Sequence, residues 1–452
     1  MSFPRYPEYK DSGVEWLGEV PAHWALDRLK RSLRSERNGL WGDEPKGNAN
    51  DLPCIRVADF DRTKLVARTS EPTIRNFAEK DREGRLLSPN DLLIEKSGGG
   101  ETQPVGCVVL YQSTVPAICS NFIARLEPAA SMSASFWRYF HAGMYASRIN
   151  VRSIKQTSGI QNLDTQAYFD ERAAFPPLDE QEAMARFLDR ETAKIDALVA
   201  EQELLIALLK EKRQAVISHA VTEGLNPDAP MKESGIAGVG MVPESWQITK
   251  LKWVAAMHSG HTPDKKISAY WENADIPWVS LNDTGNLRDN EYITDTALSI
   301  TNAGIAGSSA RILPAGVVVF SRDATIGRCA ITTRPMAVSQ HFIAWECGDG
   351  LLPRFLLLRM RSMGDELERL TTGATVKTIG MPEVRTLATP LPTIQEQMQI
   401  VEHVDRTVAR IDGLLNEAVT AVELLMDRRT SLITATVTGQ IDVRGLAPAE
   451  AA

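Results

Sequence analysis

Two stretches of the chain are near copies of each other: residues 10–30 read KDSGVEWLGEVPAHWALDRLK, and residues 232–252 read KESGIAGVGMVPESWQITKLK. They align without a gap at a constant separation of 222 positions. The identical pairs are Lys10/Lys232, Ser12/Ser234, Gly13/Gly235, Gly18/Gly240, Val20/Val242, Pro21/Pro243, Trp24/Trp246, Leu29/Leu251 and Lys30/Lys252. A long-period repeat defines the architecture of a chain. The sequence therefore predicts two copies of one structural unit, each opened by this lead-in.

The similarity continues beyond each lead-in. LPCIRVADFD from Leu52 parallels IPWVSLNDTG from Ile276, and LSPNDLLIEKSGG from Leu87 parallels LPAGVVVFSRDAT from Leu313. CSNFIARL from Cys119 parallels SQHFIAWE from Ser339. Short apolar runs bounded by Gly, Pro or Asn are typical of strands joined by turns. Each half is therefore predicted to contain a mixed, β-rich domain.

Each half closes with a long segment of helical pattern. The segments begin at Pro176 and Pro392 and correspond at a separation of 216 positions, as in Asp196/Asp412 and Arg213/Arg429. Apolar residues recur at alternating three- and four-residue spacing, which predicts a heptad-like seam. The predicted seam positions are Met184, Leu188, Ile195, Leu198, Leu205, Leu209 and Val216, then Ile400, Val404, Ile411, Leu414, Ala421, Leu425 and Leu432. Two matching rods in one chain most simply bury their seams against each other, and homodimerisation through the seam is the alternative.

These patterns divide the chain into seven predicted segments. They are the lead-in 1–30, the first domain 31–175, the central helix 176–225, the linker and second lead-in 226–252, the second domain 253–390, the C-terminal helix 391–441 and a flexible tail 442–452. The predicted fold class is α+β, with two β-rich domains in tandem that are separated and joined by two long helices.

The distribution of charge permits a polyanionic partner without requiring one. Net charge is −8, and residues 176–225 and 391–452 account for −4 each. The remainder, including both predicted domains, is neutral overall. Five scattered cysteines argue against a disulfide framework or a zinc site and favour a reducing cytoplasm. No apolar run reaches the length of a membrane span, so no membrane association is expected.

Taken together, the motifs resemble type I restriction-modification specificity subunits over nearly the whole chain. The second half carries SGHTPDKKISAYWENADIPWVSLND from Ser259, similar to the opening of a target-recognition domain in that family, although His261 stands where Gly is more usual. The boundary between domain and helix is also similar, in TSGIQNLDTQAYFDERAAFPPLDEQ from Thr157 and TTGATVKTIGMPEVRTLATPLPTIQEQ from Thr371.

The resemblance implies a DNA-binding specificity subunit without catalytic activity of its own. Each target-recognition domain would read one half of a bipartite, asymmetric site in double-stranded DNA. The helices would pack antiparallel as a coiled-coil-like pair, relate the halves by a pseudo-twofold axis, set the gap between half-sites and dock two methyltransferase (M) subunits. Partner subunits would supply adenine-N6 methylation and, through nuclease-translocase (R) subunits, ATP-dependent endonuclease activity.

The residues themselves also argue against catalysis by this chain. An amino-methyltransferase needs a polar-Pro-Pro-aromatic tetrapeptide beside the flipped base, whereas the only Pro-Pro pair lies in FPPL, residues 175–178. No GxxxxGK[ST] phosphate loop is present. No cofactor and no metal site are therefore expected.

Candidate DNA contacts are polar residues in the predicted loops, because Arg, Lys, Asn, Gln, Ser and His supply base and phosphate contacts. In the first copy they are Lys96, Ser97, Gln103, Ser120, Asn121, Lys155, Gln156, Thr157, Ser158 and Gln161. In the second copy they are Ser321, Arg322, Ser339, Gln340, His341, Thr371, Thr372, Thr375 and Lys377. Predicted helix-pair or partner contacts are Ile195, Asp196, Leu198, Ile411, Asp412 and Leu414.

Two other functions remain open at this point. A free-standing DNA-binding regulator would bind DNA without partners, and a coiled-coil scaffold would leave the two β-rich domains without a ligand.

Overall fold

The computed structural model describes residues 3–157, 159–373 and 377–446, apart from the side chain of Thr157. The chain divides into two compact units. Unit 1 comprises Met1–Glu203 with Thr420–Ala452, and unit 2 comprises Leu204–Val419. Unit 1 is thus built from both ends of the chain, whereas unit 2 is continuous.

Unit 1 combines short strands with three short helices and the first long helix. The strands are β1 (Tyr9–Asp11), β2 (Glu19–Pro21), β3 (Ala25–Arg28), β4 (Leu33–Asn38), β5 (Asp51–Ile55), β6 (Phe60–Asp61), β7 (Val66–Ala67), β8 (Thr73–Asn76), β9 (Leu92–Glu95), β10 (Ser97–Gly98), β11 (Val108–Leu110), β12 (Ile118–Cys119), β13 (Ile123–Pro128), β14 (Ile154–Thr157), β15 (Ile160–Leu163) and β16 (Arg172–Phe175). The helices are α1 (Glu79–Arg82), α2 (Ala134–Ala146), α3 (Thr165–Phe169) and α4 (Leu178–Thr222), the last continuing into unit 2.

Unit 2 contains the remaining strands and helices. The strands are β17 (Met231–Glu233), β18 (Met241–Pro243), β19 (Gln247–Lys250), β20 (Ala255–Ser259), β21 (Ile276–Val279), β22 (Tyr292–Ile293), β23 (Ser299–Ile300), β24 (Val318–Ser321), β25 (Cys329–Thr332), β26 (Ala337–Val338), β27 (Phe342–Cys347) and β28 (Ala388–Leu391). The helices are α5 (Leu251–Val254), α6 (Thr284–Asp289), α7 (Asn302–Ala306), α8 (Pro353–Ser362), α9 (Gly364–Arg369), α10 (Met381–Val384) and α11 (Ile394–Val437), which ends in unit 1.

The main sheets of the two units have the same strand order. Unit 1 has β4-β13-β9-β11-β7-β6 and a smaller sheet β12-β5-β8, and unit 2 has β20-β27-β24-β25-β22 and β26-β21-β23. In each unit one pair in each of these sheets is parallel: β11 with β7 and β12 with β5, then β22 with β25 and β21 with β26. The sequence repeat therefore corresponds to a repeated strand topology, and the chain has mixed α/β content with long helices.

One correction to the alignment of the copies follows from these sheets. CSNFIARL and SQHFIAWE were paired residue by residue from Cys119 and Ser339, but the pairing is wrong by one position. Ser120 donates its N–H to the carbonyl oxygen of Ile55 in β5 at 2.8 Å, and Ser339 makes the corresponding contact with Val279 in β21 at 2.9 Å. Ser339 therefore corresponds to Ser120, because the strand that precedes each serine fixes the register.

Each lead-in is held by its tryptophan. Trp24 is fully buried and donates its indole N–H to the carboxylate of Glu180, in the first turn of α4, at 2.9 Å. Trp246 makes the equivalent contact with Glu396 of α11, also at 2.9 Å. A buried tryptophan combines a large apolar area with one N–H that requires an acceptor. The repeated Trp and Glu are therefore explained by a single contact that joins lead-in to helix.

The C-terminal tail also differs from the prediction. Residues 442–452 were predicted to be flexible, but in unit 1 residues 441–446 pack against the N-terminal segment, and Val443 is fully buried. Asp442 donates its backbone N–H to the carbonyl of Pro4 at 2.8 Å. Arg444 lies 4.7 Å from the ring of Tyr6 and 3.4 Å from Glu180. The prediction was wrong for residues 442–446, and residues 447–452 lie outside the described residues.

We expect Trp24→Phe to lower the free energy of unfolding by about 1.5–3 kcal/mol, since it removes a hydrogen bond to a buried carboxylate. Trp246→Phe should lower the free energy of unfolding by less, because its acceptor Glu396 is half-buried whereas Glu180 is buried. Urea unfolding followed by circular dichroism measures both values. Trp253→Phe is the matched control, because Trp253 is 68% exposed and its loss should be nearly neutral. Equal costs for all three variants would contradict this account.

Candidate nucleic-acid interface

In each unit a glycine lets the chain pass directly over the backbone of a turn. A Cβ atom on Gly39 would lie 2.2 Å from the carbonyl oxygens of Cys119 and Ser120. A Cβ atom on Gly260 would lie 1.7 Å from the carbonyl oxygen of Val338. Both distances are far below van der Waals contact, so only glycine allows this approach. The glycines therefore fix one loop of each unit against the turn that follows β12 or β26.

We call the resulting loop clusters edge 1 and edge 2. Edge 1 comprises residues 38–40, 96–103, 120–122, 154–157 and 159–163 in unit 1. Edge 2 comprises residues 258–262, 321–328, 339–341, 371–373 and 377–379 in unit 2. Predicted loops that are far apart in sequence are thus neighbours in each unit.

Edge 1 is organised around the end of β9. Lys96 donates its backbone N–H to the carbonyl of Phe122 at 2.7 Å and accepts from the N–H of Leu163 at 2.8 Å. β10 then pairs with β15, and Ser97 donates its hydroxyl to the side chain of Asn162 at 2.6 Å. The β14–β15 hairpin is thereby attached to the turn at residues 120–122. Partial burial lowers the pKa of Lys96, whose ammonium group donates to Asn38.

Edge 2 repeats this backbone arrangement with different side chains. Arg322 donates its backbone N–H to the carbonyl of His341 at 3.0 Å and accepts from the N–H of Ile379 at 2.9 Å. The carboxylate of Asp323 then contacts His341 at 2.8 Å and accepts from the hydroxyl of Thr378. The scaffold is shared by the two edges, whereas the polar groups that it presents are not.

Most predicted contact residues lie at these edges with exposed or half-buried side chains. In edge 1 they are Lys96, Ser97, Gln103, Asn121, Lys155 and Gln156. In edge 2 they are Arg322, Gln340, His341, Thr371, Thr372 and Lys377. Ser158, Thr375 and the side chain of Thr157 lie outside the described residues. The surviving candidates therefore form one accessible set in each unit.

Four predicted contacts are wrong, because their side chains are buried. Ser120 and Gln161 are 2% and 7% exposed, and Ser321 and Ser339 are fully buried. Gln161 accepts from the backbone N–H of Val105, and Ser321 donates to the carbonyl of Asp323 at 3.1 Å. Gln161 and Ser321 therefore hydrogen-bond within unit 1 and unit 2, respectively, and burial keeps all four side chains from the accessible surface of the edges.

A cleft of about 710 Å³ adjoins edge 2 and is predominantly basic. Its charged lining comprises Arg213, Arg288, Arg328, Arg361, Lys377, Asp365 and Glu368. Lys377 lies at an exposed position, 3.1 Å from Glu368. An excess of basic groups beside a polar loop cluster favours contact with phosphate groups.

The helix residues predicted to make contacts fall into three groups. Ile195 and Ile411 are buried, and Asp196 and Asp412 form ion pairs described below. Leu198 and Leu414 are 46% and 50% exposed, so the predicted seam was wrong at both positions. It was also wrong at Leu205, which is 42% exposed.

Each aspartate pairs with an arginine of the other long helix. In unit 1, Asp196 of α4 contacts Arg429 of α11 at 2.9 Å, and the side chain of this arginine is buried. In unit 2, Asp412 of α11 contacts Arg213 of α4 at 2.8 Å. Asp196 corresponds to Asp412 in the repeat, and Arg213 to Arg429. Each copy therefore supplies the acid of one pair and the base of the other.

In edge 2 the sequence analysis missed Thr262, Asp323 and Thr378. Asp323 was not considered, because aspartate is not among the residue types from which the candidate contacts were chosen. Its position directly after Arg322, at the end of a predicted strand, was the available signal. Thr262 donates to the side chain of Gln340, and Thr378 to Asp323.

The helices of the described residues lack the apolar length that a membrane crossing requires. Among the same residues, no group of three or more His, Cys, Asp or Glu side chains is arranged to hold a metal ion.

Comparison with known proteins gives a consistent result. Residues 243–421 match the model of the type I restriction modification DNA specificity domain. The MjaIX type I specificity subunit of Methanocaldococcus jannaschii is 29% identical over 36% of this chain, and this match spans 38% of that relative. The putative MjaX specificity subunit of the same organism is 20% identical over 95% of this chain and 96% of its own length.

Solved structures show the same fold. A chain from a structure of complex assembly and conformational transition of the type I R-M system has a TM-score of 0.66 at 17% identity, covering 92% of this chain and 98% of its own. The HsdS subunit of Thermoanaerobacter tengcongensis has a TM-score of 0.57 at 15% identity, covering 93% and 98%. The chain therefore has the fold of these proteins, and it is similar to type I restriction-modification specificity subunits over nearly its whole length.

Proposed function

We propose that this chain is the DNA sequence-recognition subunit of a type I restriction-modification complex. Each unit carries a target-recognition domain that reads one half of a bipartite, asymmetric site in double-stranded DNA. The observation that carries the proposal is the pair of edges, which share a backbone scaffold and strand topology but present different polar side chains. Equivalent scaffolds suit two equivalent approaches to DNA, and different side chains suit two different half-sites.

The two long helices are proposed to act as an antiparallel, pseudo-twofold spacer. In unit 1 the start of α4 contacts the residues that follow α11, through Glu180 and Arg444. In unit 2 the segment after α4 meets the first turn of α11, where a Cβ on Gly224 would lie 3.8 Å from Glu396. The reciprocal ion pairs support the same arrangement. A spacer of this kind sets the gap between the half-sites.

The helices are also the proposed docking surface for two methyltransferase subunits. Several apolar side chains on them are exposed: Leu198, Leu204, Leu205, Leu208, Leu414, Val419 and Leu424. Exposed apolar groups of this number mark interaction surfaces. In this proposal the partners supply adenine-N6 methylation, and nuclease-translocase subunits join through the complex. A free-standing regulator or a scaffold is not favoured by the comparisons.

The test is adenine-methylation sequencing of cells that carry the gene together with its cognate methyltransferase gene, with this gene present or deleted. We expect a two-part motif with a fixed gap that disappears on deletion. The co-purified complex should contain two methyltransferase subunits per chain, because each copy supplies one equivalent helical segment. Methylation that is independent of this gene would contradict the proposal, and a one-to-one complex would contradict the twofold arrangement.

A further inference from the structure

Edge 2 contains a continuous chain of side-chain hydrogen bonds that begins at Asp323. Its carboxylate contacts Nδ1 of His341 at 2.8 Å. Nε2 of the same ring lies 3.3 Å from the amide nitrogen of Gln340. The hydroxyl of Thr262 contacts the amide oxygen Oε1 of Gln340. Four side chains from three separate loops are thus linked in series.

The chemistry of these groups determines which group donates and which accepts in each hydrogen bond of the series. An ionised carboxylate only accepts hydrogen bonds, so Nδ1 of His341 carries the hydrogen and donates to Asp323. In a neutral imidazole Nε2 is then an acceptor, so the Gln340 amide must present its NH₂ group to it. The amide oxygen consequently points to Thr262, whose hydroxyl donates. The carboxylate of Asp323 therefore fixes, through His341, the orientation of the Gln340 amide.

Hydrogen bonds to backbone carbonyl groups hold the four side chains in place. Arg322 donates its Nε to the carbonyl of Gln340 at 3.2 Å and its Nη1 to the carbonyl of Ile379 at 2.9 Å. Asp323 has a side chain that is 13% exposed and accepts a further hydrogen bond from Thr378. Gln340 and His341 remain half-buried, with His341 36% exposed. Asp323 therefore lies in the interior of edge 2, whereas the amide of Gln340 lies nearer its surface.

Two hydrogen-bonding positions on Gln340 remain unused by the chain. Its NH₂ group has two hydrogens, of which His341 takes one, and its oxygen has two lone pairs, of which Thr262 takes one. One donor and one acceptor are left on the amide group. Adenine presents the complementary pair in the major groove, with N7 as acceptor and N6 as donor. Guanine presents two acceptors there, so its O6 would meet the amide oxygen.

We infer that Gln340 reads an adenine through the major groove, with Asp323, His341 and Thr262 as positioning residues. The inference rests on the proposed function and adds a base to it. In edge 1 the residue that corresponds to His341 is Phe122, which cannot orient a neighbouring amide in this way. The adenine is therefore assigned to the half-site that unit 2 reads.

The test substitutes Gln340→Glu in the full chain, co-expressed with its cognate methyltransferase. A glutamate only accepts hydrogen bonds, so it loses the donor for adenine N7 and suits the N4 donor of cytosine. At one position of one half-site we expect adenine preference to fall roughly tenfold or more, with cytosine gaining. Adenine-methylation sequencing measures the motif, and the other half-site and the gap should be unchanged.

Asp323→Asn tests the positioning role at the same position of the motif. Asparagine can donate as well as accept, so the imidazole can adopt either tautomer and the Gln340 amide can turn over. We expect discrimination of adenine against guanine to relax, an effect that a loss of stability alone would not produce. Gln247→Glu is the matched control, since it makes the same charge change at an exposed position of β19 outside edge 2.

Each result decides the inference. If the wild-type chain directs a motif and the Gln340→Glu variant has the same base preferences, this inference is overturned and the proposed function stands. A wild-type chain that directs no motif overturns the proposed function and this inference with it. Equal thermal midpoints for wild type and variants establish that the comparison is made on folded protein.

Discussion

Replacing residues 31–175 with the corresponding domain of another specificity subunit is expected to change one half of the methylated motif and leave the other half unaltered. The reason is that edge 1 lies wholly within this segment, and edge 2 lies wholly within residues 253–390. The gap between the half-sites should stay the same, because the helices are untouched. Methylome sequencing of the exchanged chain measures all three features of the motif.

The donor domain must retain the contacts that attach it to the helices of unit 1. Arg138 of α2 forms an ion pair with Asp189 of α4, and Gln181 accepts from the backbone N–H of Ser133 at 3.0 Å. Gly143 leaves room for Val437, whose Cγ2 would lie 2.9 Å from an added Cβ. The reciprocal exchange of residues 253–390 is the control and should alter only the other half-site. A change in both halves after either exchange would contradict the division into two readers.

Inserting seven residues between Ala200 and Glu201 is expected to lengthen the gap between half-sites and to reduce methylation strongly. Seven residues preserve the heptad phase and add about 10 Å at 1.5 Å per residue. DNA rises 3.4 Å per base pair, so the gap can grow by up to about three base pairs. The accompanying rotation along the duplex must be absorbed by the protein, which is why activity should fall.

The structure indicates where a compensating insertion belongs. Within unit 1 the Asp196–Arg429 pair and the opposite chain directions place residues 200–201 across from 424–425. A second seven-residue insertion between Leu424 and Leu425 should therefore restore more activity than either insertion alone. The matched control puts the second insertion between Leu415 and Asn416, away from that point, and should restore less. A normal gap with full activity in the single insertion would contradict the spacer role.

The repeat, the strands and the long helices could be predicted because each leaves a periodic signal. Trp24 and Trp246 stand at equivalent positions, and the helical segments carry apolar residues at heptad spacing. The predicted seam was wrong at Leu198, Leu205 and Leu414, which are exposed, and it left out polar residues that are buried. Arg429, for example, is 7% exposed in the helix pair. A pattern of apolar residues cannot identify such a residue, because its burial depends on an ion pair with the other helix.

The edges were predicted as loops, but the direction of individual side chains could not be predicted. Ser120 and Ser339 are small and polar, which is typical of an exposed turn, yet their position at the end of a buried strand keeps them inside. Asp323 was missed because its role depends on a contact with His341, which is 18 residues away in sequence. Hydrogen bonds between loops leave no periodic signal, so only the folded structure reveals them.

The division of the chain also has a consequence for its synthesis on the ribosome. Unit 2 is a continuous segment, whereas the core of unit 1 includes Leu432, Ile433 and Val437 from the end of α11. Residues 1–203 emerge first but lack part of their apolar core until residues 432–437 have been translated. Domains generally fold in the order of synthesis, and this chain reverses that order, because its first unit is completed last. A nascent chain stopped before residue 430 therefore exposes apolar surface at its N-terminal end.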